Sequence, residues 1–185
     1  MPRIPLTHPR TLKARAMEWY SRRTYGDVLE PGLVAFHNPK VLGTMIKHET
    51  SIAKWNTLNP TLKALATMAS AAEIGCSWCL DFGFWEAHNH GVDQAKLRAI
   101  SSGGDSPVYS ALEKAVIEYA VAMTQTPPTV TDEQVAGLRE QLSDAELVEL
   151  TSIIAIENQR SRINAAMGLT SQGFKDQCEL DPSRA

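Results

Sequence analysis

Repeated helix-start signals constrain this chain more than any other feature of its sequence. Asn38 and Asn59 are each followed by a proline, which joins a capping side chain to a residue that favours the first helical turn. Thr131 and Ser143 each precede a Gln or Glu by three residues, which is the pattern of a capping box. Apolar residues recur with helical spacing after these signals, and no segment alternates apolar and polar residues as a strand would. The sequence therefore predicts an all-α protein of about eight helices.

These helices are expected to form one main domain with short additions at both ends. We predict an N-terminal arm and first helix at residues 1–36, a helical domain at 37–175 and a polar tail at 176–185. Residues 27–36 and 101–105 are expected to be loops, because they contain Pro-Gly and Ser-Gly-Gly sequences. The predicted helices are Leu12–Arg23, Val41–Trp55, Leu62–Ala72, Cys76–His90, Gln94–Ile100, Val108–Thr124, a run after Thr131, and Ala145–Met167.

Composition restricts the class of protein and its partners. With 185 residues, 43% of them hydrophobic and 21% charged, the chain is typical of a globular protein. Its net charge is -3, so we expect neither nucleic acid nor an anionic membrane surface as a partner. No apolar run approaches the roughly 20 residues that cross a membrane, and the first residues lack the apolar core of a secretion signal. We therefore expect a cytoplasmic protein.

Two of the three cysteines, Cys76 and Cys79, lie three residues apart directly after Gly75. On a helix this spacing places the two Cβ atoms roughly 5–6 Å apart, which is close enough for a disulfide after a small adjustment. We expect Gly75 to interrupt the preceding helix, so that Cys76 lies at a helix N-terminus. The helix dipole and unpaired N–H groups there favour the thiolate. One thiolate can then attack a peroxide or a disulfide, and the other can resolve the product.

Sequence alone leaves other roles open for these cysteines. They can be two small buried apolar residues that share a helix. A zinc site would have to recruit His88 and His90, but His88 faces away from Cys79 and His90 lies about 16 Å further along the helix axis. We therefore predict neither a metal nor another cofactor. Cys178, near the C-terminus, is interpreted as incidental, with a resolving or intermolecular thiol as the alternative.

Thiol chemistry also requires a group that accepts the first proton. Glu73 lies one helical turn before Cys76 and is the candidate that we select, although a glutamate at a helix end is often simply solvated. A second polar group interrupts the apolar helix that precedes Gly168. We expect its members to be paired, at an interface or near the site. It comprises Glu157, Asn158, Arg160, Arg162 and Asn164.

The sequence Glu-x-Gly-Cys-x-x-Cys at residues 73–79, preceded by an Ala- and Leu-rich helix, resembles the AhpD-like, carboxymuconolactone decarboxylase family. The segment 157–168 also resembles the Asn-containing last core helix of that family. The resemblance implies an all-α fold that assembles as a homo-oligomer, often a trimer or hexamer. It also implies peroxidase or disulfide-reductase activity at the cysteine pair.

The resemblance does not extend to the proton relay of that family. In its redox members the motif is Glu-x11-Cys-x-x-Cys-x3-His, where the second cysteine meets the substrate and the Glu and His relay protons with the first. Cys76 and Cys79 match this motif, whereas Ala64 and Gly83 occupy the Glu and His positions. We propose that Glu73 replaces the relay. The absence of a side chain at Gly83 is expected to clear space beside Cys79.

The predicted function is that of a thiol-dependent peroxidase or disulfide oxidoreductase with an antioxidant-type role. A dithiol reductant or redox partner protein would recycle it, and a small organic hydroperoxide is the candidate substrate. The aromatic residues near the cysteines can line a pocket for such a substrate or pack into a core or subunit interface; they are Trp78, Phe82, Phe84 and Trp85. One alternative is a non-catalytic, redox-responsive oligomer. A lactone decarboxylase is disfavoured, because its chemistry requires acid–base groups rather than two thiols.

Overall fold

The computed structural model describes residues 1–7 and 10–179, and every regular element within them is helical. The all-α prediction is confirmed. The described chain forms ten α-helices and one 3₁₀ helix, two α-helices more than predicted. The α-helices are α1 (Leu12–Tyr25), α2 (Glu30–Ala35), α3 (Pro39–Ile52), α4 (Pro60–Ile74), α5 (Ser77–Asn89), α6 (Gln94–Arg98), α7 (Ala111–Thr124), α8 (Asp132–Arg139), α9 (Asp144–Met167) and α10 (Phe174–Glu179). No helix of the described part is both long and apolar enough to cross a membrane.

The first of two compact units comprises Met1–Trp55 and Ala166–Leu169, and contains α1 to α3. Thr11 caps α1 by accepting a hydrogen bond from the Ala14 N–H, and Asn38 caps α3 in the same way. The N-terminal arm is tied to the end of α9 in this unit. The Arg3 N–H donates to the Met167 carbonyl at 2.8 Å, and the Arg3 guanidinium donates to the Ala166 carbonyl at 2.6 Å.

The predicted loop at residues 27–36 is wrong over most of its length, because Glu30–Ala35 forms α2. The Pro-Gly pair at 31–32 suggested a turn. A proline is equally compatible with the first turn of a helix, where its missing N–H removes no helical hydrogen bond, and Pro31 lies there. The same dipeptide thus fits both structures.

The second unit comprises Asn56–Ala165 and the chain from Thr170 onward, and it contains the main hydrophobic core. The central helix α4 packs against α5 and α7. Its fully buried residues include Leu65 and Ala66, which pack with Val116 of α7 and Ile154 of α9. Two buried carboxylates are neutralised at the edge of this core: Glu149 pairs with Lys63, and Glu113 pairs with Lys96.

Three further boundaries differ from the predictions. Helix α7 begins at Ala111 rather than at residue 108, because Ser110 and Glu113 form a capping box that the sequence analysis overlooked. The predicted loop at 101–105 lies instead within a 3₁₀ helix, Ala99–Asp105. Residues 174–179 form α10, so the predicted polar tail begins with helix; residues 180–185 lie outside the described part.

Candidate functional site

The two cysteines lie at the junction between α4 and α5. Helix α4 ends at Gly75, whose φ of 77° is the left-handed conformation that glycine adopts without strain. The chain then turns directly into α5, with Cys76 as its capping residue. The glycine therefore creates the helix start at which the first sulfur lies.

Cys76 and Cys79 form a disulfide in this structure, with their Cα atoms 5.3 Å apart. The backbone N–H of Cys79 donates to the Cys76 Sγ atom at 3.2 Å, so a sulfur replaces the usual oxygen of a helix cap. Both residues are nearly covered, with 2% of Cys76 and 8% of Cys79 exposed. The pair is thus close enough to cycle between dithiol and disulfide without rearrangement of the helix.

Asn164 of α9 supplies a second donor to the sulfurs. Its Nδ2 atom donates to Cys79 Sγ at 3.4 Å, and the residue is only 4% exposed. The sequence analysis included Asn164 in a polar group but could not assign it this partner, which is 85 residues away. Each sulfur therefore accepts one N–H, and a thiolate formed on either would be stabilised by it.

The four other members of the polar group predicted on α9 also have partners. The Ser161 hydroxyl donates to Glu157 Oε1 at 2.7 Å, and both side chains are buried. Arg160 lies 3.5 Å from the same carboxylate. Asn158 and Arg162 instead hydrogen-bond Thr124 at the end of α7. These contacts provide hydrogen-bond and ion-pair partners for the polar side chains of α9 within the helical unit.

Asp81 is the residue at this site whose role the sequence analysis missed. Its buried carboxylate accepts three backbone N–H groups, from Gln172 at 2.8 Å, Phe174 at 3.1 Å and Lys175 at 2.8 Å. It therefore caps the start of α10 from a distant part of the chain. The sequence did contain one indication of this role, because a single aspartate on a largely apolar helix requires a polar partner.

The aromatic residues of α5 also hold the C-terminal segment. The Trp78 Nε1–H donates to Gln172 Oε1 at 2.7 Å. The ring of Phe82 packs edge-on against Phe174, with 5.3 Å between centroids, and Trp85 lies 5.9 Å from the same ring. Of the two roles left open for these rings, packing is the one observed for them. Phe84 is also packed, 2% exposed within the hydrophobic core cluster, and it borders a cavity of about 300 Å³ together with Met68, Leu80 and Lys175.

Three residues concern the proton relay, namely the proposed proton acceptor Glu73 and the two residues at the usual relay positions, Ala64 and Gly83. Glu73 is exposed in the last turn of α4, and no described contact joins it to a cysteine sulfur; its role as a proton acceptor stays a prediction. Ala64 is half-buried on α4. A Cβ atom added at Gly83 would lie 3.5 Å from Met68 Cγ, an ordinary van der Waals distance, so a small side chain fits there.

Two candidates from the sequence analysis remain, the histidines considered as zinc ligands and the third cysteine. His88 lies 3.3 Å from the Gln94 amide, and no group of three or more His, Cys, Asp and Glu side chains in the described residues is arranged to hold a metal. Cys178 is a buried thiol on α10, 7% exposed, which lies outside the disulfide and belongs to the hydrophobic core cluster.

The helical unit has an AhpD-like fold, and the Cys76–Cys79 disulfide lies at the start of its helix α5. The carboxymuconolactone decarboxylase family model matches residues 39–122, and the chain belongs to that family. The chain is 30% identical to the uncharacterized protein YnjA of Escherichia coli over 178 residues. This alignment covers 92% of the chain and 93% of YnjA. It is 27% identical to the uncharacterized protein YdfG of Bacillus subtilis over 136 residues, 73% of this chain and 90% of that one.

Solved structures share the fold over almost the whole chain. A peroxidase-related protein from Ralstonia eutropha, described as an alkylhydroperoxidase AhpD core, has a TM-score of 0.79 with 15% identity and covers 94% of each chain. The debrominase Bmp8, as a cysteine-to-alanine variant in complex with 2,3,4-tribromopyrrole, has a TM-score of 0.80 with 20% identity and covers 96% of this chain and 97% of that one. The family and fold are those that the sequence motif predicted.

Proposed function

We propose that the protein is a thiol–disulfide redox enzyme, specifically a thiol peroxidase or disulfide oxidoreductase with an antioxidant-type role, in which Cys76 and Cys79 alternate between dithiol and disulfide. The observation that carries the proposal is the pair itself. Its two sulfurs are bonded, lie at a helix start and each accept an N–H group. Such surroundings favour thiolate over thiol, and thiolate is the reactive form.

With an organic hydroperoxide, the proposed cycle has two steps. The Cys79 thiolate attacks the terminal oxygen and forms a sulfenic acid, while the O–O bond breaks and the alkoxide leaves as an alcohol after taking up a proton. The Cys76 thiolate then attacks the Cys79 sulfur, forms the disulfide and releases the oxygen as water after proton uptake. An external dithiol reduces the disulfide and is itself oxidised.

Two observations support Cys79 as the attacking residue. It is the more exposed of the two, and its sulfur accepts the Asn164 amide. Because Ala64 and Gly83 occupy the usual relay positions, we retain Glu73 as the proposed proton acceptor, acting through water from its exposed position. Glu73→Gln is then expected to slow thiol reactivity without changing the disulfide. Full reactivity in this variant would exclude the assignment.

Reductive dehalogenation is a second candidate, favoured by the fold shared with the debrominase. A dithiol supplies the same two electrons to a bromoarene as to a peroxide. The carbon–bromine bond is replaced by a carbon–hydrogen bond, bromide and a proton are released, and the disulfide forms. A halogenated pyrrole is therefore the second substrate to test.

The test measures consumption of cumene hydroperoxide and of a brominated pyrrole with dithiothreitol as reductant. Wild type is compared with Cys79→Ser and Cys76→Ser, and Cys178→Ser is the matched control because that cysteine is buried and is not part of the disulfide. We expect loss of turnover in the first two variants and wild-type rates in the control. Background rates in wild type would favour the non-catalytic, redox-responsive alternative. Lactone decarboxylation that survives both serine variants would favour the decarboxylase.

A further inference from the structure

The cavity of about 300 Å³ beside α5 has an apolar floor and a polar rim. Its volume lies at the lower end of the range that is typical of small-molecule sites. Four side chains that are each at most 6% exposed form the floor; they are Met68, Phe84, Leu97 and Ile100. Exposed serines from three different segments, Ser77, Ser101 and Ser171, lie at the rim. We call this site the α5 cavity, and its surfaces match a molecule with an apolar body and a polar end.

The charged residues of the α5 cavity leave it with a positive side. Those described at its wall are two cations, Arg98 and Lys175, and two carboxylates, Asp81 and Asp176. Both oxygens of Asp81 already accept backbone N–H groups. Oδ2 of Asp176 lies at the start of its own helix, 3.5 Å from the position that a Cβ atom of Gly173 would take. Both carboxylates are therefore directed at the backbone that begins α10, whereas the two cations can meet a ligand.

Lys175 is held over the floor of the α5 cavity. Its backbone N–H donates to Asp81 Oδ1 at 2.8 Å, and its Nζ atom lies 5.1 Å from the centre of the Phe84 ring. In the described part of the chain no ion pair joins this ammonium to a carboxylate. An ammonium held against an aromatic face gives up part of its hydration, so an anion placed beside it gains more than at an open surface.

The α5 cavity lies on a different side of α5 from the sulfurs. At 100° per residue, Ser77, Asp81 and Phe84 fall within about 60° of one another, whereas Cys79 lies about 140–160° away from each of them. Cys76 and Cys79 are not among the described residues that line the cavity. A ligand in the cavity is therefore expected to bind without contacting the disulfide.

We propose that the α5 cavity binds a small organic anion, namely a carboxylate with an apolar chain of about six to eight carbons. The chain would lie on the apolar floor, and the carboxylate would accept hydrogen bonds at the rim from Lys175, Arg98 and the serine hydroxyls. Lys175 belongs to α10 and Arg98 to α6, so a bound anion links two elements and stabilises the folded unit by mass action. The proposal does not depend on the thiol chemistry.

The test measures binding of octanoate to the full chain by isothermal titration calorimetry. Affinity is expected to rise about threefold to fourfold per methylene from butanoate to octanoate, because each methylene buries apolar area. Octanamide, a neutral molecule of similar size, is expected to bind at least tenfold more weakly than octanoate. Lys175→Glu and Arg98→Glu should each weaken octanoate binding at least tenfold. The matched control is Lys54→Glu, an exposed basic residue that does not line the cavity, and it should keep wild-type affinity.

Two further variants test the location of the site. Ala72→Leu adds side-chain volume at the cavity wall and should weaken octanoate binding at least tenfold, with thermal melts to verify that the variant is folded. Cys79→Ser should bind octanoate with wild-type affinity, because that sulfur lies on another side of α5.

No binding to wild type, equal binding of octanamide, wild-type affinity in both charge variants, or loss of binding in Cys79→Ser would overturn the proposal. Peroxide turnover enters none of these measurements, so failure of the proposed function would be a separate result.

Discussion

Replacing Asn164 by leucine tests whether its amide stabilises a thiolate on Cys79. Leucine keeps a similar volume at a position that is 4% exposed, but it removes the N–H that lies 3.4 Å from the sulfur. A hydrogen bond to a neutral acceptor contributes about 1 kcal/mol, and one to a charged acceptor about 1.5–3 kcal/mol. The amide therefore favours thiolate over thiol by about 1.4 kcal/mol, which corresponds to about one pKa unit.

The measurement isolates one thiol at a time. In a Cys76→Ser background, the pKa of Cys79 is obtained from the thiolate absorbance near 240 nm as a function of pH. We expect Asn164→Leu to raise this pKa by about one unit, and to slow iodoacetamide alkylation up to about tenfold at pH values below it.

The matched control is the same substitution in a Cys79→Ser background. There the remaining sulfur accepts the backbone N–H of residue 79, so the pKa of Cys76 is expected to stay within about 0.3 units. An unchanged Cys79 pKa would refute the role of Asn164. Equal shifts of both thiols would mean that the substitution acts through the packing of α9 rather than through the hydrogen bond.

Three further predictions concern the elements that hold the site. Asp81→Asn removes the charge from a buried carboxylate that accepts three backbone N–H groups, and we expect urea unfolding to show a loss of about 2–4 kcal/mol; a loss below 0.5 kcal/mol would contradict this account. Burial alone would raise the pKa of Glu113, but hydrogen bonds from Lys96 and Ser110 and the Lys96 charge lower it below its usual 4.5. Its stabilising contribution is therefore present above pH 4.5 and is lost as the pH falls, and Glu113→Gln should make stability less sensitive to acid in pH-dependent thermal melts. Gly75→Ala places a side chain at a φ of 77° with no atom within 4 Å, so we expect a purely conformational loss of about 1–2 kcal/mol, again by urea unfolding.

Local signals allowed most of the fold to be predicted. A capping side chain acts within three residues of itself, so the starts of α3, α4, α8 and α9 could be identified from the sequence. Where one signal serves two structures, prediction failed. Pro31 fits both a turn and the first turn of α2, and the choice depends on contacts that a local pattern does not contain.

The parts of the site that could not be predicted depend on distant contacts. Helix α10 has six residues, which is too short to be stable alone, and its first N–H groups bind Asp81, 93 residues before Phe174. The contact between Asn164 and Cys79 likewise depends on how α9 rotates against α5. The spacing of Cys76 and Cys79, in contrast, is a local property, and their proximity could be predicted.

The geometry of α5 separates the chemistry of the site from its anchoring. Cys76 and Cys79 share one face, whereas Asp81 follows Cys79 by two residues and lies on the opposite face. Its negative charge, which would oppose a thiolate, is directed to the N–H groups of the C-terminal segment. Within the described residues the donors to the two sulfurs are uncharged, one from the backbone of α5 and one from Asn164. Changes on the anchoring face should therefore alter stability with little effect on the thiol pKa, and changes at Asn164 should do the reverse. Under the proposed function, this division lets the N–H groups of α5 and Asn164 stabilise the thiolates of the pair, although Ala64 and Gly83 provide no charged relay.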